Sequence, residues 1–245
     1  MTPSAENARL RIAAMGDLHV QETQVRPYRE LFAQISDQAD VLVLCGDLTN
    51  YGKPAEASVL AEDVSGAAIP VVAVLGNHDH EFGGPDLVKQ ALTHAGAHVP
   101  DTGAAFEIKG VGFAGCMGAM GGFGRGMLSS FGEQSVKTFV QACLDETMKL
   151  ETGLRMLRTE RAVAVLHYSP IVGTLEGEPV EIYPFLGNSR LAETIDRFDN
   201  VRAVVHGHAH RGVLRGATPK GVPVYNCARP VLMRESDRPF VLFEV

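Results

Sequence analysis

Five short runs of apolar residues recur along the chain, and polar side chains hardly interrupt them. The runs are Leu10–Ala14, Val41–Cys45, Val71–Leu75, Ala162–Leu166 and Val201–Val205. Runs of this length that are rich in β-branched residues predict strands covered on both faces of a sheet. A helical pattern follows each of the first three runs, and two of the three open on a proline: Tyr28–Asp37, Pro54–Ser65 and Pro85–Ala95. The β-α-β-α-β order predicts an α/β fold with a parallel sheet in its N-terminal part.

The rest of the chain has a different pattern. Ala104–Lys109 and Val111–Gly115 predict two strands joined by a tight turn at Lys109-Gly110, and helical spacing runs from about Glu133 to Leu157. Shorter strands are expected at Val213–Leu214, Val222–Tyr225 and Phe240–Val245. Two packed sheets flanked by helices accommodate all of these elements. Because no segment has the composition of a linker, we expect residues 1–245 to form a single domain.

Composition and charge indicate which kinds of partner and which cellular location to expect. The net charge is −7 and no block of Lys and Arg stands out, so a broad nucleic-acid-binding surface is not expected. Polar residues precede the first apolar run, and the apolar runs are far too short to span a bilayer, so we expect neither a signal peptide nor a membrane segment. The cysteines are widely spaced without a CxxC pair, which disfavours a zinc finger or a disulfide framework and favours a cytoplasmic location.

Side chains that can bind a metal or transfer a proton are concentrated just after the apolar runs. The residues in question are Asp17 and His19, then Asp47, then Asn77, His78 and Asp79, then His167, and finally His208 and His210. The carboxyl ends of strands are where α/β sheets bind ligands. Carboxylates and imidazoles together are typical ligands of divalent transition metals, and no thiolate is needed. The sequence therefore predicts a metal site at this edge of the sheet.

These residues fall into five blocks that resemble, in order, the motifs of the calcineurin-like metallophosphoesterase family. The blocks are Asp17-Leu-His19, Gly46-Asp47-Leu-Thr-Asn50, Gly76-Asn77-His78-Asp79, the lone His167, and Gly207-His208-Ala-His210. The resemblance covers residues 17–210, which is most of the chain. It implies the four-layer α/β/β/α sandwich of that family.

The resemblance also implies a role for each residue. The two implied ligand sets are Asp17, His19, Asp47 and His210 for one ion, and Asp47, Asn77, His167 and His208 for the other. Asp47 would bridge two divalent ions, drawn from manganese, iron, zinc and nickel. His78 would lie near the leaving group, with Asp79 orienting it. Asn50 stands where many members carry Asp, and we expect it to support the site rather than to react.

The implied function is hydrolysis of a phosphate ester by in-line attack of a hydroxide that bridges the two ions. We favour a phosphodiester, because the Gly46-Asp47-Leu-Thr block resembles that of small bacterial-type cyclic-nucleotide phosphodiesterases. The expected partner is a small phosphate ester, with nucleotides among the candidates, and the oligomeric state is open. The alternatives are a phosphomonoesterase acting on a small metabolite and a non-catalytic scaffold of the same fold. The HxHxDH motif of metallo-β-lactamases and a GxSxG elbow are both missing.

Several features leave two interpretations open. His80 and His206 could each orient a metal ligand or simply be buried. The glycine-rich stretch Gly115–Gly126 fits a flexible loop better than a lid beside the site, and its Arg125 fits a solvated side chain better than a phosphate contact. Asn188 or Ser189 is best interpreted as the cap of a helix beginning near Arg190 rather than as part of the cleft.

Overall fold

A computed structural model describes residues 9–245. The polar start at residues 1–8, which contributes to the expectation that there is no signal peptide, lies outside this range. The strands are β1 Arg11–Met15, β2 Val41–Cys45, β3 Val71–Val74, β4 Ala105–Ile108, β5 Val111–Gly115, β6 Arg161–Val165, β7 Val201–His206, β8 Arg215–Ala217, β9 Pro223–Asn226 and β10 Val241–Glu244. The α-helices are α1 Arg29–Gln38, α2 Pro54–Val64, α3 Pro85–His94, α4 Gln134–Met156, α5 Tyr183–Leu186, α6 Ser189–Ile195 and α7 Arg229–Glu235.

The five apolar runs and the first four helices are confirmed to within one or two residues. Pro54 and Pro85 are the first residues of α2 and α3, because a proline at that position loses no helical hydrogen bond. The strand expected at Val213–Leu214 is wrong by two positions, since β8 begins at Arg215. The amide of Val213 donates to the carbonyl of Thr174 and that of Leu214 to the Glu235 carboxylate, so neither is used in a strand ladder.

Two sheets make up the β-structure of the described residues. The first has the strand order β10-β1-β2-β3, in which β1, β2 and β3 are parallel and β10 adds an antiparallel edge. The second has the order β4-β5-β6-β7-β9-β8, with β5, β6, β7 and β9 parallel and an antiparallel strand at each edge. In the second sheet the four parallel strands are central, and in the first β1 and β2 are central while the parallel β3 lies at the edge. The central strands have the nearly unbroken apolar sequences that burial on both faces predicts.

The two sheets pack face to face, and alternate residues of β6 show how. Val163 and Val165 join the core between the sheets, whereas Ala162 and Ala164 face a second core. The second core includes Leu150 and Leu154 of α4 and Leu191 and Ile195 of α6. Helices α1, α2 and α3 contribute Phe32, Leu60 and Leu92 to the core that contains the first sheet. The layer order is therefore α/β/β/α, which confirms the expected fold class.

The sheets also meet along one edge, where the parallel strands end. The amide of Gly16, just after β1, donates to the carbonyl of Cys227, just after β9, and Gly16 forms a bridge with Ala228. The segments that follow β1, β2, β3, β6 and β7 all emerge here, as parallel strands require. In the described part of the chain, no helix has both the length and the apolar character needed to cross a membrane.

Candidate metal centre

Polar side chains that follow strands of both sheets converge at this shared edge. Three overlapping groups have ligand atoms within 4.8 Å of one another. They are Asp17, His19 and His210; His19, Asp47 and His78; and Asp47, His167 and His208. The two carboxylates are buried, at 2% exposure each, and histidine ring nitrogens lie within 4.0 Å of both. Buried carboxylates are costly unless positive charge compensates them, so this donor set is suited to cations.

The backbone takes an uncommon conformation at four of these residues. Asp17, His19, Asp47 and His208 have φ values of 58°, 47°, 49° and 70°. This left-handed region is sparsely populated by residues other than glycine and recurs at functional sites. The turns that aim these side chains inward are therefore formed by the functional residues themselves.

His167 supplies the test of whether a metal fits. Its Nδ1 lies 2.9 Å from the carbonyl oxygen of Cys45 and must donate to it, because a carbonyl only accepts. In the neutral ring, Nε2 then carries a lone pair, which faces Asn77 Oδ1 at 3.0 Å and Asp47 Oδ1 at 3.3 Å. Three electron-pair donors pointing at one another are unfavourable without a cation between them. A main-chain carbonyl that fixes the tautomer of a histidine is also the usual support of a metal ligand.

His208 is held in a similar way. Its Nε2 donates to the carbonyl oxygen of Phe185 at 3.2 Å, which leaves Nδ1 for a metal. Burial, with the nearby His167, lowers the pKa of His208 to about 3. The ring is therefore neutral at physiological pH, the form that metal binding needs.

Asp17 is surrounded by donors. His210 Nε2 lies 2.8 Å from its Oδ1, and the amide of His208 lies 3.1 Å from both oxygens. Burial opposes ionisation of Asp17, but the hydrogen bond with His210 and the electrostatic attraction of the same ring hold its pKa below the ordinary value. The hydrogen bond to Asp17 raises the pKa of His210. Asp17 is therefore a carboxylate, ready to serve as a ligand.

His78 stands at the open side of the centre. Its Nδ1 donates to the carbonyl oxygen of Asn50 at 2.8 Å, and its ring meets that of His19 with centroids 4.7 Å apart. Its Nε2 lies 4.0 Å from Asp47 Oδ2, and a third of the side chain is exposed. His78 is thus positioned by the main chain of Asn50 and presents one nitrogen toward the centre.

Asp79 has different contacts from those expected for a residue that orients His78. Its buried carboxylate accepts from the amides of Leu48, Thr49 and Gly76 and from the Thr49 hydroxyl, at 2.5 to 3.1 Å. These donors belong to the segments that follow β2 and β3. Asp79 therefore fastens the segment of Asp47 to that of Asn77, and Asn50 takes over the orientation of the His78 ring.

Glycine is required at two positions because the carboxylates of two candidate ligands lie against its main chain. A Cβ at Gly76 would overlap Asp47 Oδ1, and a Cβ at Gly207 would overlap Asp17 Oδ2. Neither glycine has a positive φ. A side chain at either position would displace a carboxylate that belongs to the centre.

The residues with open interpretations have definite surroundings. His206 is buried, donates from Nδ1 to the Gly207 carbonyl and accepts at Nε2 from the Thr174 hydroxyl, so it supports the main chain of the last block. The Nε2 of His80 is buried and has no hydrogen-bond partner among the described residues. Arg125 is exposed, in agreement with a solvated side chain. Asn188 caps α6 by accepting from the amide of Arg190.

The glycine-rich stretch 115–126 is fastened to its surroundings. The amides of Gly121 and Gly122 donate to the carbonyls of Pro184 and Gly187. The Asn188 side chain donates to the carbonyls of Ala119 and Met120. The stretch therefore borders residues 183–188, the segment whose Phe185 holds His208. No motif in the sequence indicated that Phe185 or the carbonyls of Cys45 and Asn50 take part, because main-chain groups leave no residue signature.

Comparison with known proteins gives the following matches. The family model of the calcineurin-like phosphoesterases matches residues 10–212. A crystal structure of phosphopantetheinyl hydrolase from Mycobacterium tuberculosis superimposes with a TM-score of 0.67 at 15% identity, covering 96% of each chain. The crystal structure of TT1561 from Thermus thermophilus gives a TM-score of 0.56 at 14% identity, covering 91% of each chain. No curated protein matches the chain significantly.

Proposed function

The chain belongs to the calcineurin-like phosphoesterase family, and we propose that it cleaves a phosphodiester with two divalent transition-metal ions bound at the centre described above. It is a metal-dependent phosphoric ester hydrolase. Beyond this family-level activity, we propose the number of ions, the residues that hold them and the preference for a diester.

The observation that carries the proposal is the convergence of His167 Nε2, Asn77 Oδ1 and Asp47 Oδ1. With His208 these residues would hold one ion. A second group of ligand atoms, from Asp17, His19 and His210, lies alongside. Asp47 is close to members of both groups, and this supports its assignment as the ligand that the two ions share.

When bound, the two ions supply a nucleophile from water at neutral pH and neutralise the charge that develops on the phosphate oxygens. The residues of the chain orient the reaction. His78 Nε2 faces the centre from its open side, where a protonated ring can donate a proton to the departing oxygen. The Asn50 carbonyl keeps this ring in place, and Asp79 keeps the segments of Asp47 and Asn77 at a fixed distance.

The preference for a diester is supported by the Gly46-Asp47-Leu-Thr block and its resemblance to small cyclic-nucleotide phosphodiesterases. The structural relative named a phosphopantetheinyl hydrolase suggests a further substrate to test, although its 15% identity bears on the fold alone.

The test is a reconstitution of metal-free protein with Mn, Fe, Zn or Ni. We expect two equivalents of metal per chain and faster hydrolysis of bis(p-nitrophenyl) phosphate than of p-nitrophenyl phosphate. Cyclic nucleotides and a phosphopantetheinyl ester complete the substrate panel. One equivalent of metal would contradict the dinuclear centre, and faster monoester hydrolysis would contradict the diester preference. Metal binding without any turnover would favour a non-catalytic scaffold.

The ligand assignment is tested by Asp47→Ala. Because Asp47 is assigned to both ions, we expect this variant to lose bound metal and hydrolysis together, as measured by elemental analysis and the diester assay. Asp37→Ala, at an exposed position of α1, serves as the matched control and should retain both. Full metal content and turnover in Asp47→Ala would refute its role.

A further inference from the structure

Two exposed aromatic side chains lie on the loops that carry residues of the metal centre. Tyr51 and Phe82 are 50% and 60% exposed, although large apolar side chains are usually withdrawn from water. Both belong to segments that also carry residues of the centre, after β2 and after β3. Exposed apolar surface next to a polar site is typical of a binding surface.

The main chain holds these two residues together and close to His78. The amide of Phe82 donates to the carbonyl of Tyr51 at 2.9 Å. Tyr51 directly follows Asn50, whose carbonyl binds the His78 ring. Gly52 is so close to the carbonyl of Asp79 that a Cβ there would overlap it. The Tyr51–Phe82 pair is therefore fixed to the same loops that position His78 and Asp47.

The ring faces of the pair suit a planar organic group. The ammonium group of Lys53 lies 5.7 Å from the centre of the Tyr51 ring, but it is paired with the Glu22 carboxylate at 3.1 Å, so recognition rests on the rings and not on this charge. Aromatic rings pack favourably against other aromatic groups in offset or edge-to-face arrangements. An aliphatic chain would gain from the apolar area, but it would gain nothing from the ring faces.

We propose that Tyr51 and Phe82 form a specificity surface that binds an aromatic group, such as an aryl ring or a nucleobase, on the leaving-group side of the phosphate. This inference rests on the proposed function, because that function places the leaving group at His78. The substrate class is thereby narrowed to esters of aromatic or heteroaromatic groups. Phe82 and Tyr51 would contribute to binding and would take no part in bond cleavage.

The experiment uses phosphonates, which the enzyme cannot hydrolyse, as binding probes for the metal-loaded protein. Calorimetric affinities are measured for phenylphosphonate, cyclohexylphosphonate and methylphosphonate. We expect the wild type to bind phenylphosphonate about tenfold more tightly than methylphosphonate, with cyclohexylphosphonate between them. Phe82→Ala and Tyr51→Ala should reduce the preference to about twofold or less, whereas Phe82→Tyr should retain it.

Met156→Ala is the matched control. Met156 is 59% exposed, but it ends α4 shortly before β6 begins, at the opposite edge of the sheet from the centre. Its substitution should leave all three affinities unchanged. Circular dichroism confirms that each variant folds.

Four other results would contradict the specificity surface. Equal binding of the three phosphonates by a wild type that hydrolyses diesters would overturn the specificity surface and leave the proposed function intact. A phenyl preference that survives in Phe82→Ala and Tyr51→Ala would overturn it as well. If no phosphonate binds and no ester is cleaved, the inference fails together with the proposed function. Tighter binding of cyclohexylphosphonate than of phenylphosphonate would refute the aromatic preference.

Discussion

At the scale of single residues, the centre depends on which ring nitrogen of each histidine is free. The carbonyls of Cys45, Asn50 and Phe185 each engage one nitrogen of His167, His78 and His208, respectively. The other nitrogen is thereby directed toward the centre. The sequence identified the histidines through their order and spacing. It could not identify the carbonyls, because any residue can supply one and only the tertiary fold brings it near.

The role of His78 is testable through its substitution. His78→Ala should retain both ions, because the proposed ligand sets do not include His78, and should slow turnover by about 10²-fold or more through loss of acid–base help. Metal content and kcat are measured on the same preparation. His94→Ala, at an exposed position of α3, should behave like the wild type. Unchanged kcat in His78→Ala would remove His78 from the mechanism, and lost metal would reassign it as a ligand.

At the scale of elements, the segments after β2 and β3 behave as one unit. Asp79 joins them through four hydrogen bonds, and Gly76 lets the Asp47 carboxylate lie against the main chain. Strand positions were predictable here, because apolar runs such as Val41–Cys45 are buried at every residue. The position of β8 could not be predicted in this way, because its sequence Arg-Gly-Ala has no apolar pattern. The predicted role of Asp79 in orienting His78 rested on adjacency in sequence, which does not imply contact between the side chains.

Gly76→Ala tests this unit. The added methyl group would meet Asp47 Oδ1 and the Asp47 amide, so we expect a loss of about 1–3 kcal/mol in the free energy of unfolding. Metal affinity should fall by about 10–100-fold, as for other changes that displace a ligand indirectly. Urea unfolding and metal titration measure the two effects.

Gly126→Ala is the control for the same chemical change. A Cβ at Gly126 would meet open space, and its φ is not positive. We expect its free energy of unfolding to stay within about 0.5 kcal/mol of the wild type. Equal behaviour of the two variants would show that the close approach at Gly76 is unimportant.

At the scale of the whole molecule, the centre joins the two sheets. Asp17, Asp47 and Asn77 follow strands of the first sheet, and His167, His208 and His210 follow strands of the second. The distance between the sheets therefore determines whether the two sets of proposed ligands can meet. The sequence predicted that each strand delivers a ligand, but the pairing of two separate sheets along one edge depends on packing that no local pattern encodes.

A second long-range interaction concerns Asp101, which lies between α3 and β4 in the sequence. Asp101 is buried, its Oδ1 has no hydrogen-bond partner among the described residues, and its Oδ2 lies 3.9 Å from Lys89 Nζ of α3. Burial raises the pKa of Asp101 to about 7; Lys89 and Lys149 oppose this rise, and Glu146 adds to it. The folded protein therefore binds a proton here more tightly than the unfolded chain does.

This proton gives the stability of the protein a pH dependence of known sign. Below about pH 4 the Asp101 carboxyl is protonated in both the folded and the unfolded state, so its ionisation does not affect the free energy of unfolding. As the pH rises from about 4 to 7, the unfolded chain gains stability by ionising while the folded state keeps the proton, so the free energy of unfolding falls. Asp101→Asn lacks this titration. The free energy of unfolding of this variant, relative to that of the wild type, should therefore rise by about 2–3 kcal/mol between pH 5 and pH 8. Urea unfolding at each pH measures the difference. Asp37→Asn, at its exposed site, should follow the wild type throughout. If the free energies of unfolding of Asp101→Asn and the wild type change in parallel with pH, Asp101 does not hold its proton in the folded state. Water would then reach its carboxylate between α3 and α4.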